Sequence, residues 1–195
     1  MLRPKCPIAT DRLVLRPYVE HDLDDVYDIQ SRPEVFRYLY WDVRNRDQVR
    51  EYLDKKIRNA ALPEQGDALT LAVVLPETGT VIGDVILKWA STEHRQGEIG
   101  YIFHPQFGGM GYATEAAEVM LRLGFEELGL HRIFGRLDGR NAASARVLER
   151  LGMRREAHFV QNEIVKGEWT DELVYAMTED EWRSRHRPDC HTGSR

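Results

Sequence analysis

The amino-acid sequence predicts a single α+β domain built on a mixed central sheet flanked by helices. Three observations carry that prediction. Strand-like and helical stretches follow in the order strand, two or three helices, three strands, helix, strand, helix, two strands. A glycine-rich turn, Gln106-Phe107-Gly108-Gly109-Met110-Gly111-Tyr112-Ala113-Thr114, joins the last of the three central strands to the next helix. No repeat or linker interrupts the 195 residues, a length that suits one core. The domain is expected over residues 10–185, with tails at 1–9 and 186–195.

Residues 1–9 carry two prolines and no periodic pattern, so they are expected to lie across the surface or to be mobile. Leu13-Val14-Leu15-Arg16-Pro17 reads as a short strand stopped by proline. Residues 21–30 place Leu23, Val26, Tyr27 and Gln30 at helical spacing. Asp22, Asp24, Asp25 and Asp28 read there as a solvated helix face. Ser31 or Arg32, ahead of Pro33, restarts a helix. A longer helix over 47–61 carries Val49, Tyr52, Leu53, Ile57 and Ala60 on its apolar side, and Pro63 and Gly66 end it.

Strands 69–75 and 81–90 flank the turn Pro76-Glu77-Thr78-Gly79, and 97–104 completes a meander. The helix after the glycine turn, 113–128, buries Ala116, Ala117, Met120, Leu121, Leu123 and Phe125 and stops at Gly129. Residues 131–137 form another strand, Asn141 caps a helix that runs through Leu151, and Gly152 ends it. Strands 155–165 and 169–177 flank Lys166-Gly167-Glu168. Thr178-Glu179-Asp180-Glu181 opens a capped final helix, and the chain beyond Arg187 is expected to be disordered.

Composition narrows the function. Hydrophobic residues at 42% and charged residues at 30% are those of a globular protein. A net charge of −5 and a pI near 5.8 argue against a nucleic-acid surface, which would be basic. Acidity suits a cationic partner, although solubility alone accounts for it equally well. Cys6 and Cys190 read as free thiols without metal or disulfide spacing, and the seven histidines show no ligand pattern, so no metal is expected. The longest core-like apolar run, 69–75, is too short to cross a bilayer. A cytoplasmic monomer or homodimer is expected, with neither nucleic acid nor membrane as partner.

The glycine turn is the most informative stretch. A turn between strand and helix aims several backbone N–H groups at one spot, and the helix N-terminus adds partial positive charge. Such a spot binds phosphate, and glycine lets the backbone approach it closely. The sequence lacks both the G-x-x-x-x-G-K-[ST] of a P-loop and the G-x-G-x-x-G of a dinucleotide fold.

The pattern Q-x-x-G-x-G/A, carried by Gln106, Gly109 and Gly111, resembles the coenzyme A pyrophosphate loop of the GNAT superfamily of N-acetyltransferases. The block from Asn141 to Met153 resembles that family's N-x-x-[AS]-x-x-x-[YL]-E-x-x-G-F helix. Within the family, Thr10-Asp11-Arg12-Leu13-Val14-Leu15-Arg16, Glu98-Ile99-Gly100-Tyr101 and Lys166-Gly167-Glu168-Trp169-Thr170-Asp171 with Tyr175 resemble the ribosomal-protein N-terminal acetyltransferase branch. The resemblance implies acetyl transfer from acetyl-CoA to a primary amine, by direct attack in a ternary complex. Its preferred acceptor is a protein N-terminus. A small amine (polyamine, aminoglycoside or amino acid) is the alternative, and a non-catalytic coenzyme-binding module a further one.

Acetyl transfer needs the coenzyme held, the ammonium deprotonated and the thiolate stabilised. The backbones of Ile102, Phe103 and His104 are expected along the pantetheine arm, with only the backbone of His104 expected to matter. Gln106, Gly108, Gly109, Met110, Gly111, Tyr112 and Ala113 are expected around the pyrophosphate. Asn141 has two readings, helix cap alone or cap and pantetheine ligand. Glu98 is the candidate base, with a salt-bridged surface glutamate as its alternative. Leu148 stands where many members place a general-acid tyrosine, so that route is absent. By resemblance Ser144 serves the coenzyme sulfur, a purely structural serine being the other reading, and Tyr101 and Tyr175 are further donors. Tyr38, Tyr40, Trp41 and Trp89 suggest an aromatic acceptor wall, or core packing.

Overall fold

The computed structural model describes residues 1–58 and 60–186. Eight strands form one sheet: β1 (Ile8–Ala9), β2 (Val14–Arg16), β3 (Ala68–Val74), β4 (Val81–Ser91), β5 (Gln96–Phe103), β6 (Arg132–Asp138), β7 (Arg154–Val165) and β8 (Glu168–Thr178). Their order is β1-β2-β3-β4-β5-β6-β8-β7, and every pairing is antiparallel except β5 with β6. The helices are α1 (Leu23–Gln30), α2 (Pro33–Phe36), α3 (Arg46–Arg58), α4 (Tyr112–Arg122), α5 (Ala142–Arg150) and α6 (Glu179–Arg185). This is the α+β mixed-sheet architecture that the element order predicts.

Strand alternation divides the helices between the two faces. Leu69, Leu71 and Val73 of β3 and Val85 and Leu87 of β4 point to one face, where they pack with Ala116, Met120 and Leu121 of α4 and Leu148 of α5. Ala72 and Val74 point the other way, into a smaller core with Val26 of α1 and Val49 and Leu53 of α3. Helix α6 starts at a capping box in which Glu181 accepts from both the backbone N–H and the hydroxyl of Thr178.

The segment 1–9, read from the sequence as a tail, is part of the fold. Leu2 is buried in the main core and exchanges backbone hydrogen bonds with Leu62, while Ile8 and Ala9 pair with β2. Cys6 packs against that core as well, and burial pushes its thiol up. The prolines removed the periodic signal without preventing burial. Residues 187–195, including Cys190, lie outside the described residues.

The sheet has one discontinuity that matters. Strands β5 and β6 pair only at Gln96↔Arg132, Gly97↔Ile133 and Glu98↔Phe134. Beyond Glu98, β5 follows β4 to Phe103 and β6 follows β8 to Asp138, so the two part and leave a cleft.

Candidate active site

A cavity of about 510 Å³ occupies this cleft and reaches both faces of the sheet. Ile99, Tyr101, Asn141, Ser144 and Leu148 line it on the α5 side. Lys88, Glu98, Arg136, Glu163, Glu172 and the aromatic segment Tyr38 to Trp41 line it on the opposite side. Trp89 does not line the cavity. It alternates with Lys88 along β4 and packs into the main core, so only three of the four expected aromatics form the wall.

The glycine turn follows β5 directly. Gly109 and Gly111 have φ of 78° and 83°, the left-handed region that glycine enters without strain. A Cβ at Gly109 would meet nothing within 4 Å, so the space above the turn is open. Among the described residues the N–H groups of Gly109, Met110 and Gly111 have no backbone acceptor. Those of Tyr112, Ala113 and Thr114 open α4 and lack intrahelical acceptors, and the buried Thr114 hydroxyl has no partner. These six N–H groups are the ones that could hold a pyrophosphate. Glu115 braces the turn from behind. Its Oε1 accepts from the Thr10 hydroxyl at 2.6 Å and the Arg12 N–H at 2.9 Å, while Oε2 accepts from Arg12 Nε at 2.8 Å. Arg12 also donates to the Met110 carbonyl.

The pantetheine expectation needs correction. The His104 N–H donates to the Ile82 carbonyl on β4, and β5 stays in register with β4 down to Glu98. Antiparallel alternation then turns the backbone of Ile102 towards β4 as well. The free edge belongs instead to Tyr101 and Phe103, because the Ile99 N–H still serves the Glu98↔Phe134 pairing with β6. Of the three expected residues only Phe103 faces the cleft with its backbone. The side chain of His104 is also engaged. Its Nδ1 accepts from the Gln106 N–H at 3.1 Å and its ring meets Phe107 edge-on.

Asn141 caps α5 by accepting from the Ser144 N–H at 3.1 Å, and it lines the cavity too. The Tyr101 hydroxyl lies 2.9 Å from Ser144 Oγ and donates to the Ser144 carbonyl at 3.0 Å. Burial pushes the phenol well above the ordinary tyrosine range. Tyr175 is not at the cavity. It belongs to the opposite set of β8 residues and donates to Glu149. Leu148 packs over Gly135.

On the other side, Arg136 gathers three carboxylates that sequence reasoning missed as a group. Its guanidinium lies 3.2 Å from Glu98, 3.1 Å from Glu172 and 3.8 Å from Glu163. Asn162 donates to Glu172 and the Tyr40 hydroxyl to Glu163. Burial and then the neighbouring Glu172 carboxylate push Glu163 up. Arg136 is one of two arginines in the strand 131–137, so nothing local singles it out. The acidic face of α1 is likewise less solvated than expected. Asp22 is buried against Arg16, and Asp25 accepts from the Val81 N–H.

Sheet, cleft and phosphate-ready turn together place the chain among the N-acetyltransferases. It matches the Acetyltransferase (GNAT) domain family over residues 12–154 and belongs to that family. It is an acetyl-CoA-dependent N-acetyltransferase. The chain is 36% identical over 177 residues to the uncharacterized N-acetyltransferase YnaD of Bacillus subtilis, covering 90% of this chain and 98% of that one. A GNAT-family acetyltransferase structure from Bacillus anthracis superposes with a TM-score of 0.80 at 32% identity, covering 89% of this chain and 99% of that chain. The spermidine N(1)-acetyltransferase of Escherichia coli is 23% identical over 179 residues, 91% of this chain and 92% of its own length. No helix of the described residues is long and apolar enough to cross a membrane.

Proposed function

We propose that the enzyme acetylates a small cationic primary amine, which attacks the bound thioester directly. The observation that carries this reading is the charge of the acceptor side. Three carboxylates, Glu98, Glu163 and Glu172, line the cavity against two cations, Lys88 and Arg136, while the lining Asp138 is paired with Arg140. An excess of carboxylates favours a protonated amine and concentrates it at the cleft. The likeness to a spermidine acetyltransferase supports the same class.

Glu98 accepts the proton that the ammonium must lose, directly or through water. The glycine turn and the first turn of α4 hold the pyrophosphate. Tyr101 and Ser144 stabilise the departing thiolate by hydrogen bonding. The cavity lining contains no cysteine, and direct attack requires no side chain to carry the acetyl group.

A second reading, a protein N-terminal amine, is favoured by the β7–β8 hairpin. Ile164 and Trp169 stand exposed there as ladder partners, next to the cavity-lining Val165 and Thr170. They offer an apolar rim to an extended peptide.

A screen of thiol release from acetyl-CoA separates the readings. Spermidine and other small amines are compared with peptides bearing free or blocked α-amines. Turnover of small amines alone supports the first reading. Turnover of peptides that stops when the α-amine is blocked, with lysine still free, establishes the second.

A further inference from the structure

The side chain of His104 stands at the junction of three elements and has no part in the chemistry above. It is 6% exposed. Four contacts fix the residue. Its N–H donates to Ile82 on β4, and its carbonyl accepts from the Phe107 N–H at 3.1 Å. Nδ1 accepts from the Gln106 N–H at 3.1 Å. Nε2 lies 3.1 Å from Asp28 Oδ2, out of line for a straight hydrogen bond. A ring nitrogen that accepts carries no proton, so the imidazole is neutral and its proton sits on Nε2, facing the carboxylate.

These contacts define where the coenzyme turn begins. Pro105, Gln106 and Phe107 form a short 3-10 turn, closed by the Gly108 N–H donating to the Pro105 carbonyl at 2.9 Å. The open glycines follow at once. A rotation of this turn therefore displaces every N–H group aimed at the pyrophosphate. Asp28 holds the far side of the ring from α1, and Arg32 holds Asp28 at 2.7 Å.

The geometry points to His104 as a positioning residue for the pyrophosphate turn, acting through the Gln106 N–H and anchored by Asp28. The inference rests on the coenzyme reading of the turn. Two shape-related substitutions separate its polar role from its bulk. Asparagine places Oδ1 close to the position of Nδ1 and can accept from Gln106. Leucine fills the site but accepts nothing.

The test is calorimetric binding of CoA, combined with amide hydrogen exchange. His104→Leu is expected to weaken CoA roughly three- to tenfold, the scale of losing one part-buried hydrogen bond. It should also speed exchange at residues 104–111 while strands β3 and β4 keep their protection. His104→Asn should recover most of the affinity, and Asp28→Ala should lose about twofold, the scale of one weak polar contact to a neutral ring. Wild-type affinity in His104→Leu overturns the inference. So does equal loss in the asparagine and leucine variants, because it makes the effect one of packing. Should His104→Leu fail to fold, His104→Gln, whose acceptor is carried one bond further from Gln106, replaces it with the same expectation. Failure of the wild-type protein to bind CoA would instead strike the functional reading itself.

Discussion

The Tyr101 hydroxyl, carried by β5, lies 2.9 Å from Ser144 Oγ, carried by α5. Leu148 lies one helical turn beyond Ser144 on α5 and offers no acid. Because burial keeps the phenol protonated well past neutrality, Tyr101 is a permanent donor. It orders the serine hydroxyl and can itself face a developing thiolate.

Tyr101→Phe is accordingly expected to lower kcat by about 10²-fold, the low end for loss of a proton-donating group. Ser144→Ala should cost less, because Tyr101 remains. The double variant should be little worse than Tyr101→Phe alone, since residues that act as a unit do not add. Steady-state kinetics on the three variants checks this, and strictly additive losses would separate the two residues.

Glu98→Gln should reduce kcat by roughly 10²-fold if the carboxylate is the base. Its pairing with Arg136 at 3.2 Å supplies a second expectation. Arg136→Gln removes the group that holds Glu98 in place, so it should lower kcat as well. Steady-state kinetics of both variants checks this, and unchanged kcat in Glu98→Gln would assign Glu98 a binding role.

Gly111→Glu should abolish measurable CoA binding. The substitution forces a left-handed φ on a residue with a Cβ and sets a carboxylate at the pyrophosphate position. Wild type should gain thermal stability with CoA, whereas the variant should not.

Glu115 links the β1–β2 connection to the glycine turn, and its titration should appear in stability. Burial alone would raise its pKa, but hydrogen bonds from Thr10 and Arg12 outweigh that and hold it below the usual glutamate range. A depressed folded pKa stabilises above the unfolded value and loses that contribution as pH falls through the folded one. Glu115→Gln should therefore lower Tm at neutral pH, with the difference shrinking in acid.

Incubation with acetyl-CoA alone should leave the protein mass unchanged. A stoichiometric acetyl adduct that forms and decays at the rate of turnover would replace direct attack with a covalent route.

The sequence carried what local chemistry writes into it. The Asn141 cap, the Thr178–Glu181 box and the strand–turn–helix around Gly109 and Gly111 are short-range patterns, and each is found where its residues predict. The element order gave the α+β class for the same reason. What escaped depends on partners far apart in the chain. Arg136, Glu163 and Glu172 meet only because β6, β7 and β8 are neighbours. Thr10 and Arg12 reach Glu115 across more than a hundred residues. The backbone error at Ile102 and His104 was a matter of strand phase, which the choice of partner strand fixes and composition does not. Leu2 was missed because burial of a proline-flanked terminus leaves no periodic trace.

Three ladder positions between β5 and β6 join a five-strand half of the sheet to a three-strand half. Past that short seam, Tyr101 and Phe103 turn unpaired backbone towards the cleft. An arm that carries its own amides can pair with such an edge, so the sheet is in effect one strand short where the cleft opens. Letting go of that arm then requires breaking edge hydrogen bonds, whatever the ease of acetyl transfer.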